Sequence, residues 1–222
     1  MLDIQTWILF LSAALALAFA PGPGMLYVLS RTISGGRSAG VASTLGAATG
    51  GMVHVFGAAL GVSAILATSA VAFSIVKYLG AIFLIYLGIK MILSSFKNID
   101  SEIGLSQEQQ QVDMKSAFYQ GIVSEILNPK TAIFFLAFIP QFVQPTEGNL
   151  FGQFVLLGVI IVILNTIPDF LISFFSKPIE NLWNTSARFR KTQQATSGVC
   201  FVGLGVYLAL SGSSKEIRAT PA

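Results

Sequence analysis

Pro21-Gly22-Pro23-Gly24 lies inside an apolar run that begins at Ile4 and ends near Leu29. Proline in a helix interior removes a backbone donor and clashes with the carbonyl one turn back, so this run cannot fold as one continuous helix. In water the motif would mark a turn. In a bilayer, backbone groups freed at membrane depth are tolerated only where protein or a water-filled cavity satisfies them. Asn128-Pro129-Lys130 interrupts a second apolar run in the same way. Paired interruptions in corresponding positions of two halves are the sequence mark of a transporter's binding site.

The membrane setting follows from composition. The chain is 54% hydrophobic and 10% charged, whereas soluble domains carry roughly 25% charged residues. The excess of three positive charges comes from Lys and Arg gathered in certain loops. No basic, aromatic-laced face for nucleic acid is present, and the lipid bilayer is the expected partner. A single cysteine, Cys200, excludes a disulfide framework and a Cys-rich metal site. Ala18-Phe19-Ala20 before Pro21 resembles a signal-peptide cleavage site, but Asp3 and the lack of Lys or Arg in front of it favour a retained first helix.

A crossing helix needs about 20 apolar residues. Six segments approach that length: 4–29 (broken), 39–67, 71–94, 116–143 (broken), 149–176 and 194–211. The expected class is an all-α integral membrane protein of six transmembrane helices. Its units are a first three-helix repeat over 1–97, a polar linker over 98–114 and a second three-helix repeat over 115–222.

Lys and Arg concentrate after the first, third and fifth segments, at Arg31, Arg37, Lys90, Lys97, Lys115, Lys177, Arg188, Arg190 and Lys191. Lys77 alone adjoins the other connections, and the tail holds Lys215 and Arg218. The positive-inside bias puts the first group in the cytoplasm and both termini outside. Trp7 and Trp183 fall near helix ends, where interfacial aromatics belong. Tyr86–Ser94 (YLGIKMILS) and Gly203–Ser211 (GLGVYLALS) match at an offset of 117, and Pro21 and Pro129 stand 108 apart. Three crossings is an odd number, so two such halves form an inverted repeat, with a site expected at the midplane between them.

Proline is pre-shaped for a helix's first turn, and Asn128 suits the cap of a helix starting at Pro129. Each break thus creates a half-helix N-terminus whose dipole attracts a carboxylate. Gly22 and Gly24 allow close approach to the backbone. Pro21, Gly22, Pro23, Gly24, Asn128, Pro129 and Lys130 are therefore the expected substrate-binding residues. A plain proline kink relieved by neighbouring helices is the competing account. Gly46, Gly50, His54, Gly57 and Gly61 fall within about 80° on one helix face. Such a stripe serves tight packing or a homodimer. His54, the sole histidine, suits either proton traffic or a neutral interhelical hydrogen bond.

Lys130 is too deep to reach the interface and calls for a negative partner: Asp169, Glu125 or a substrate carboxylate. Asp169 stands one turn beyond Asn165 and 115 residues after His54. His54, Asp169, Asn165 and Glu125 are the expected coupling or gating residues. No cofactor or metal is called for.

These motifs resemble the lysine exporter / homoserine–threonine resistance (LysE/RhtB) family of bacterial amino-acid exporters, across nearly the whole chain. The carriers of the likeness are Pro21-Gly22-Pro23; Gly40, Gly46, Gly50 and His54; Leu87 to Lys90; Asn128-Pro129-Lys130; Phe134-Phe135; and Pro140-Gln141-Phe142. One position departs: family members often place Asp or Asn after Pro-Gly-Pro, where this chain has Gly24. The resemblance implies a secondary transporter in the bacterial inner membrane, not an enzyme. Its substrate would be an amino acid or close derivative, moved outward at the expense of the proton gradient. Export of another small solute or a cation, and a non-transporting scaffold, are the alternatives. A transmembrane electron carrier would need a cysteine in each half. A membrane serine protease would need a Gly-x-Ser-x-Gly that the chain lacks.

Overall fold

The computed structural model describes residues 3–68, 70–96, 113–144 and 147–210. Nearly all of the linker expected over 98–114, together with Lys97, Ser211, Lys215 and Arg218 and the side chains of Trp183 and Arg190, lies outside the described residues. Among those residues every regular element is helical. In chain order these are α1 (Ile4–Phe19), α2 (Pro23–Thr68), α3 (Ala70–Phe96), α4 (Met114–Ile126), α5 (Pro129–Ala137), a 3-10 turn (Ile139–Phe142), α6 (Leu150–Phe174), α7 (Ser176–Thr185) and α8 (Ala187–Leu210).

Helix starts follow local chemistry. Asp3 accepts from Thr6 N, Asp113 from Lys115 N and Ser116 N, Asn128 from Lys130 N and Asn149 from Gly152 N. Each satisfies a backbone donor that a first turn leaves orphaned. Both expected breaks are present. α1 and α2 meet at 47° and α4 and α5 at 51°.

Three helices (Lys77–Phe96 of α3, then α6 and α8) are long and apolar enough to cross a membrane, or up to five spans if each bent pair counts as one. The difference from six segments lies in α2, which runs through the expected connection between the first two. Gly36 interrupts it, at φ 74° and ψ −174°. Thr32 and Gly40 would stand about 12 Å apart along a straight helix. Instead a Cβ on Gly40 would collide with the Thr32 hydroxyl, so the chain bends sharply back at Gly36. The arms are residues 23–35 and 37–68.

α7 is a second difference, because 177–193 had the look of a charged connection. Ile179 packs on the Val28, Leu29 and Ile172 cluster, which gives this short helix a seat. Helix then resumes at Ala187, seven residues before the expected start.

Packing has two textures. Phe10, Phe134, Phe138 and Phe142 form a buried aromatic block with ring centroids 4.3 to 6.1 Å apart. Elsewhere small residues bring backbones together. A Cβ on Gly46 would strike Phe118 O and approach Gly121, which sets α2 against α4. Gly88 backs on Gly198 O and Val202, while Gly205 backs on Ala81 O and Ile85. These two sets of contacts are related by the same 117-residue offset as the sequence repeat. The outward faces are apolar: Leu79, Ile82, Leu156 and Ile163 are 62%, 63%, 58% and 58% exposed. Contiguous apolar surface of that kind belongs against lipid rather than water.

The backbone at Gly36 occupies a region open essentially to glycine alone, whereas Gly57 and Gly61 are helical with nothing within 4 Å of an added Cβ. Gly36→Ala should therefore cost about 1–3 kcal/mol, while Gly57→Ala or Gly61→Ala should be neutral or gain up to about 1 kcal/mol. Thermal unfolding in detergent checks the contrast. Equal stability of the Gly36 and Gly57 variants would remove the strained turn.

Candidate functional site

An unbroken helix would bond the N–H of residue 21 to Leu17 O and that of residue 129 to Glu125 O. Proline has no N–H, so each break frees one of these carbonyls. Each still accepts one backbone N–H, Leu17 O from Ala20 N at 3.2 Å and Glu125 O from Asn128 N at 3.0 Å, and the opposite half of the chain supplies a second donor in both places. Lys130 Nζ, carried on the first turn of α5, donates to Ala20 O at 3.0 Å and to Leu17 O at 3.4 Å, at the C-terminal end of α1. A cation at that end also suits the helix dipole. His54, on the second arm of α2, bonds Glu125 O at 2.8 Å through Nε2. A carbonyl only accepts, so Nε2 carries the hydrogen.

The hydrogen bonds of Lys130 thus go to carbonyl oxygens rather than to the carboxylate that its depth led us to expect. Glu125 and Asp169 still bear on it electrostatically. Gly22 makes room for the ammonium: a Cβ there would stand 3.1 Å from Lys130 Nζ. Gly24 does the same for Glu125, whose Oε2 lies 3.1 Å from such a Cβ and 3.2 Å from Asn128 Nδ2. A protein carboxylate therefore already occupies the first turn of the α2 arm, where its dipole favours negative charge. Asn128 Oδ1 accepts from Lys130 N at 3.2 Å and closes the start of α5.

A cavity lies at the meeting point of these groups. Its wall includes Leu17, Ala20 and Gly24 from the first break and Glu125, Asn128, Lys130 and Thr131 from the second. Ala47, Ala48 and Gly51 of α2 and Val162, Asn165, Thr166 and Asp169 of α6 complete it. Water-sized centres have about 40 Å³ in which to move. One water needs roughly 10–15 Å³ of such space, so the cavity holds a few waters or a small polar head group. The aromatic block lies about 10 Å along α1 on one side, from Leu17 back to Phe10. On the other side, Thr32, Ser43, Thr44 and Ser173 form a buried hydroxyl layer, with Thr44 Oγ1 and Ser173 Oγ 3.2 Å apart.

Glu125, Asn128, Lys130, Asn165, Asp169 and Gly24 are thus gathered at one cavity. Pro21, Gly22, Pro23, Pro129 and His54 are not among the residues that line it; His54 is bonded to the Glu125 carbonyl and lies 6.0 Å from the Phe135 ring. Of the buried side-chain oxygens without a hydrogen-bond partner among the described residues, only Asn165 Oδ1 belongs to the cavity wall. Sequence reasoning missed the Leu17 and Ala20 carbonyls and the hydroxyls of Thr131 and Thr166. The Leu17 carbonyl was within reach, because a proline names the acceptor it frees four residues earlier; the Ala20 carbonyl, one residue before Pro21, was not.

Helices with lipid-type outer faces, two pairs of them interrupted around one cavity, make this a multi-pass membrane protein. Residues 15–212 match the family described as LysE type translocator, and the chain belongs to that family. It is therefore a membrane transporter. The membrane protein YrhP of Bacillus subtilis strain 168, described as uncharacterized, is 32% identical over 206 residues, covering 91% of this chain and 97% of its own. An uncharacterized membrane protein of Pseudomonas aeruginosa is 32% identical over 195 residues, covering 85% and 88%. Another, from Vibrio cholerae serotype O1, is 26% identical over 208 residues, covering 94% and 98%. No solved structure matches the chain.

Lys130→Met removes the side-chain donor from Ala20 O and Leu17 O and should cost about 1–3 kcal/mol, with Lys130→Arg retaining most of it. His54→Phe should cost less, about 0.5–1.5 kcal/mol, because Asn128 N still donates to Glu125 O. Unfolding midpoints in detergent order the variants. A Lys130→Met protein as stable as the parent would remove the capping role.

Proposed function

We propose that this chain exports an amino acid or close derivative from the cytoplasm across the bacterial inner membrane, coupled to the proton gradient. The observation that carries the proposal is the shared cavity, in which both breaks, two carboxylates and one ammonium meet. Pro21, Gly22, Pro23 and Gly24 with Asn128, Pro129 and Lys130 build the binding site. Glu125 and Asp169 are the carboxylates whose protonation couples transport to the gradient. Asn165 stands beside Asp169, and His54 acts on Glu125 through its backbone.

The architecture we propose is six crossings in two inverted halves. The bend at Gly36 supports counting the arms of α2 as parts of two spans. The reciprocal contacts of Gly88 and Gly205, exchanged by the 117-residue offset, support a two-fold relation of α3 and α8. Rocking of one half against the other would open the cavity alternately through the aromatic block and through the hydroxyl layer. Lys and Arg cluster at the hydroxyl end, at Arg31, Arg37 and Lys177, which supports a cytoplasmic assignment for it and external termini.

The test is transport by purified protein in liposomes, offered labelled amino acids one at a time with and without an imposed pH gradient. At least one should accumulate against its own gradient when protons are driven the other way. In the Asp169→Asn variant whatever exchange of the same substrate remains should no longer depend on the pH gradient. Accumulation by Asp169→Asn at the parent's rate would remove that residue from coupling. Failure of every amino acid to move would remove the substrate class.

A further inference from the structure

The positive groups that the breaks bring to the cavity are already matched within the protein. The Lys130 ammonium is committed to Ala20 O and Leu17 O. The first turn of the α2 arm faces the Glu125 carboxylate, and the start of α5 is closed by Asn128 Oδ1. The remaining capacity has the opposite character. Asn165 Oδ1 is a buried acceptor with no hydrogen-bond partner among the described residues. Asp169 follows it by one turn on the same face of α6 and lines the same wall. Thr166 Oγ1 donates to Val162 O in its own helix, so this neighbouring hydroxyl does not spend its proton on Asn165.

The wall holds two carboxyl groups, of Glu125 and Asp169, against one amine, of Lys130. A carboxylate guest would find two of the three ammonium donors engaged and would stand beside two carboxyl groups. A protonated amine brings up to three donors and one positive charge to the place where acceptors and carboxyl groups are in excess.

We propose that the recognised end of the cargo is a protonated amine, held between Asn165 Oδ1 and the Asp169 carboxylate, and that Asn165 is a specificity-determining residue. The cargo's carboxylate, where it has one, is a secondary contact. This rests on the cavity being the transport site. It identifies the cargo class as protonated amines, of which amino acids are one kind. Blocking the nitrogen destroys recognition, and removing the carboxylate does not.

The experiment uses full-length protein in detergent, with methylamine and propylamine as cationic probes and acetate and butyrate as anionic ones, at matched ionic strength. The amines should raise the unfolding temperature in a saturable way and the carboxylates should not. Asn165→Ala should raise the half-saturating amine concentration roughly tenfold or more. Asn165→Asp, which keeps an acceptor and adds charge, should lower it and covers the case in which the alanine variant does not fold. Stabilisation by carboxylates and not by amines, or unchanged amine response in whichever variant folds, overturns the proposal.

Competition in liposomes separates this proposal from the export reading. If amino acids are transported and their N-acetyl derivatives compete as well as the free forms, the amine subsite fails and export stands. If the amine response holds and depends on Asn165 while no amino acid moves, the amine subsite stands and amino-acid export fails.

Discussion

Two backbone carbonyls, Leu17 O and Glu125 O, govern the middle of this molecule. Each loses its helical donor to a proline, at 21 and at 129, in a region where water is scarce. The N–H of Ala20 and that of Asn128 still reach these two oxygens, and a side chain from the other half adds a second hydrogen bond to each. The pairing is reciprocal: a lysine from the second half answers the first proline, and a histidine from the first half answers the second. The interruption, the interface between the halves and the cavity are consequences of the same four residues.

The same contacts bear on the electrostatics of the cavity. Lys130 sits at the negative end of α1, and Glu125 at the positive end of the α2 arm, so both helix ends at the first break are met by side chains of opposite sign from the second half. What remains toward the interior is Asp169 with Asn165, on α6, a helix that runs on from Leu150 to Phe174 with Pro168 in its interior. A solute entering there meets acceptors rather than donors. The two flanks of the cavity differ in kind, one of packed aromatic rings and one of small hydroxyl side chains.

The sequence disclosed the interruptions and the apolar segments because proline chemistry and hydropathy are local properties. The Asn128 cap was legible for the same reason, and so was the use of small residues between helices. Gly46 and Gly50 do pack on α4, but Gly57 and Gly61 meet nothing within 4 Å. A stripe on one helix cannot say where its neighbour ends, and α4 ends at Ile126. Lys130 was read through its charge, which called for a carboxylate. Its partners proved to be main-chain oxygens, which carry no residue-type signature. α7 was hidden because Lys177, Glu180 and Asn181 make its sequence look like a solvated connection, while its seat on Val28, Leu29 and Ile172 is purely tertiary.

The exchange of donors between the halves also bears on how such a chain reaches the membrane. During synthesis the first half is inserted while the residue that completes its broken helix has yet to emerge from the ribosome, because Lys130 lies 110 positions after Ala20. Until then the exposed end of α1 has only lipid, stray water or a chaperone for company. The N-terminal segment is therefore a provisional structure, and the arrival of α5 is what makes it permanent.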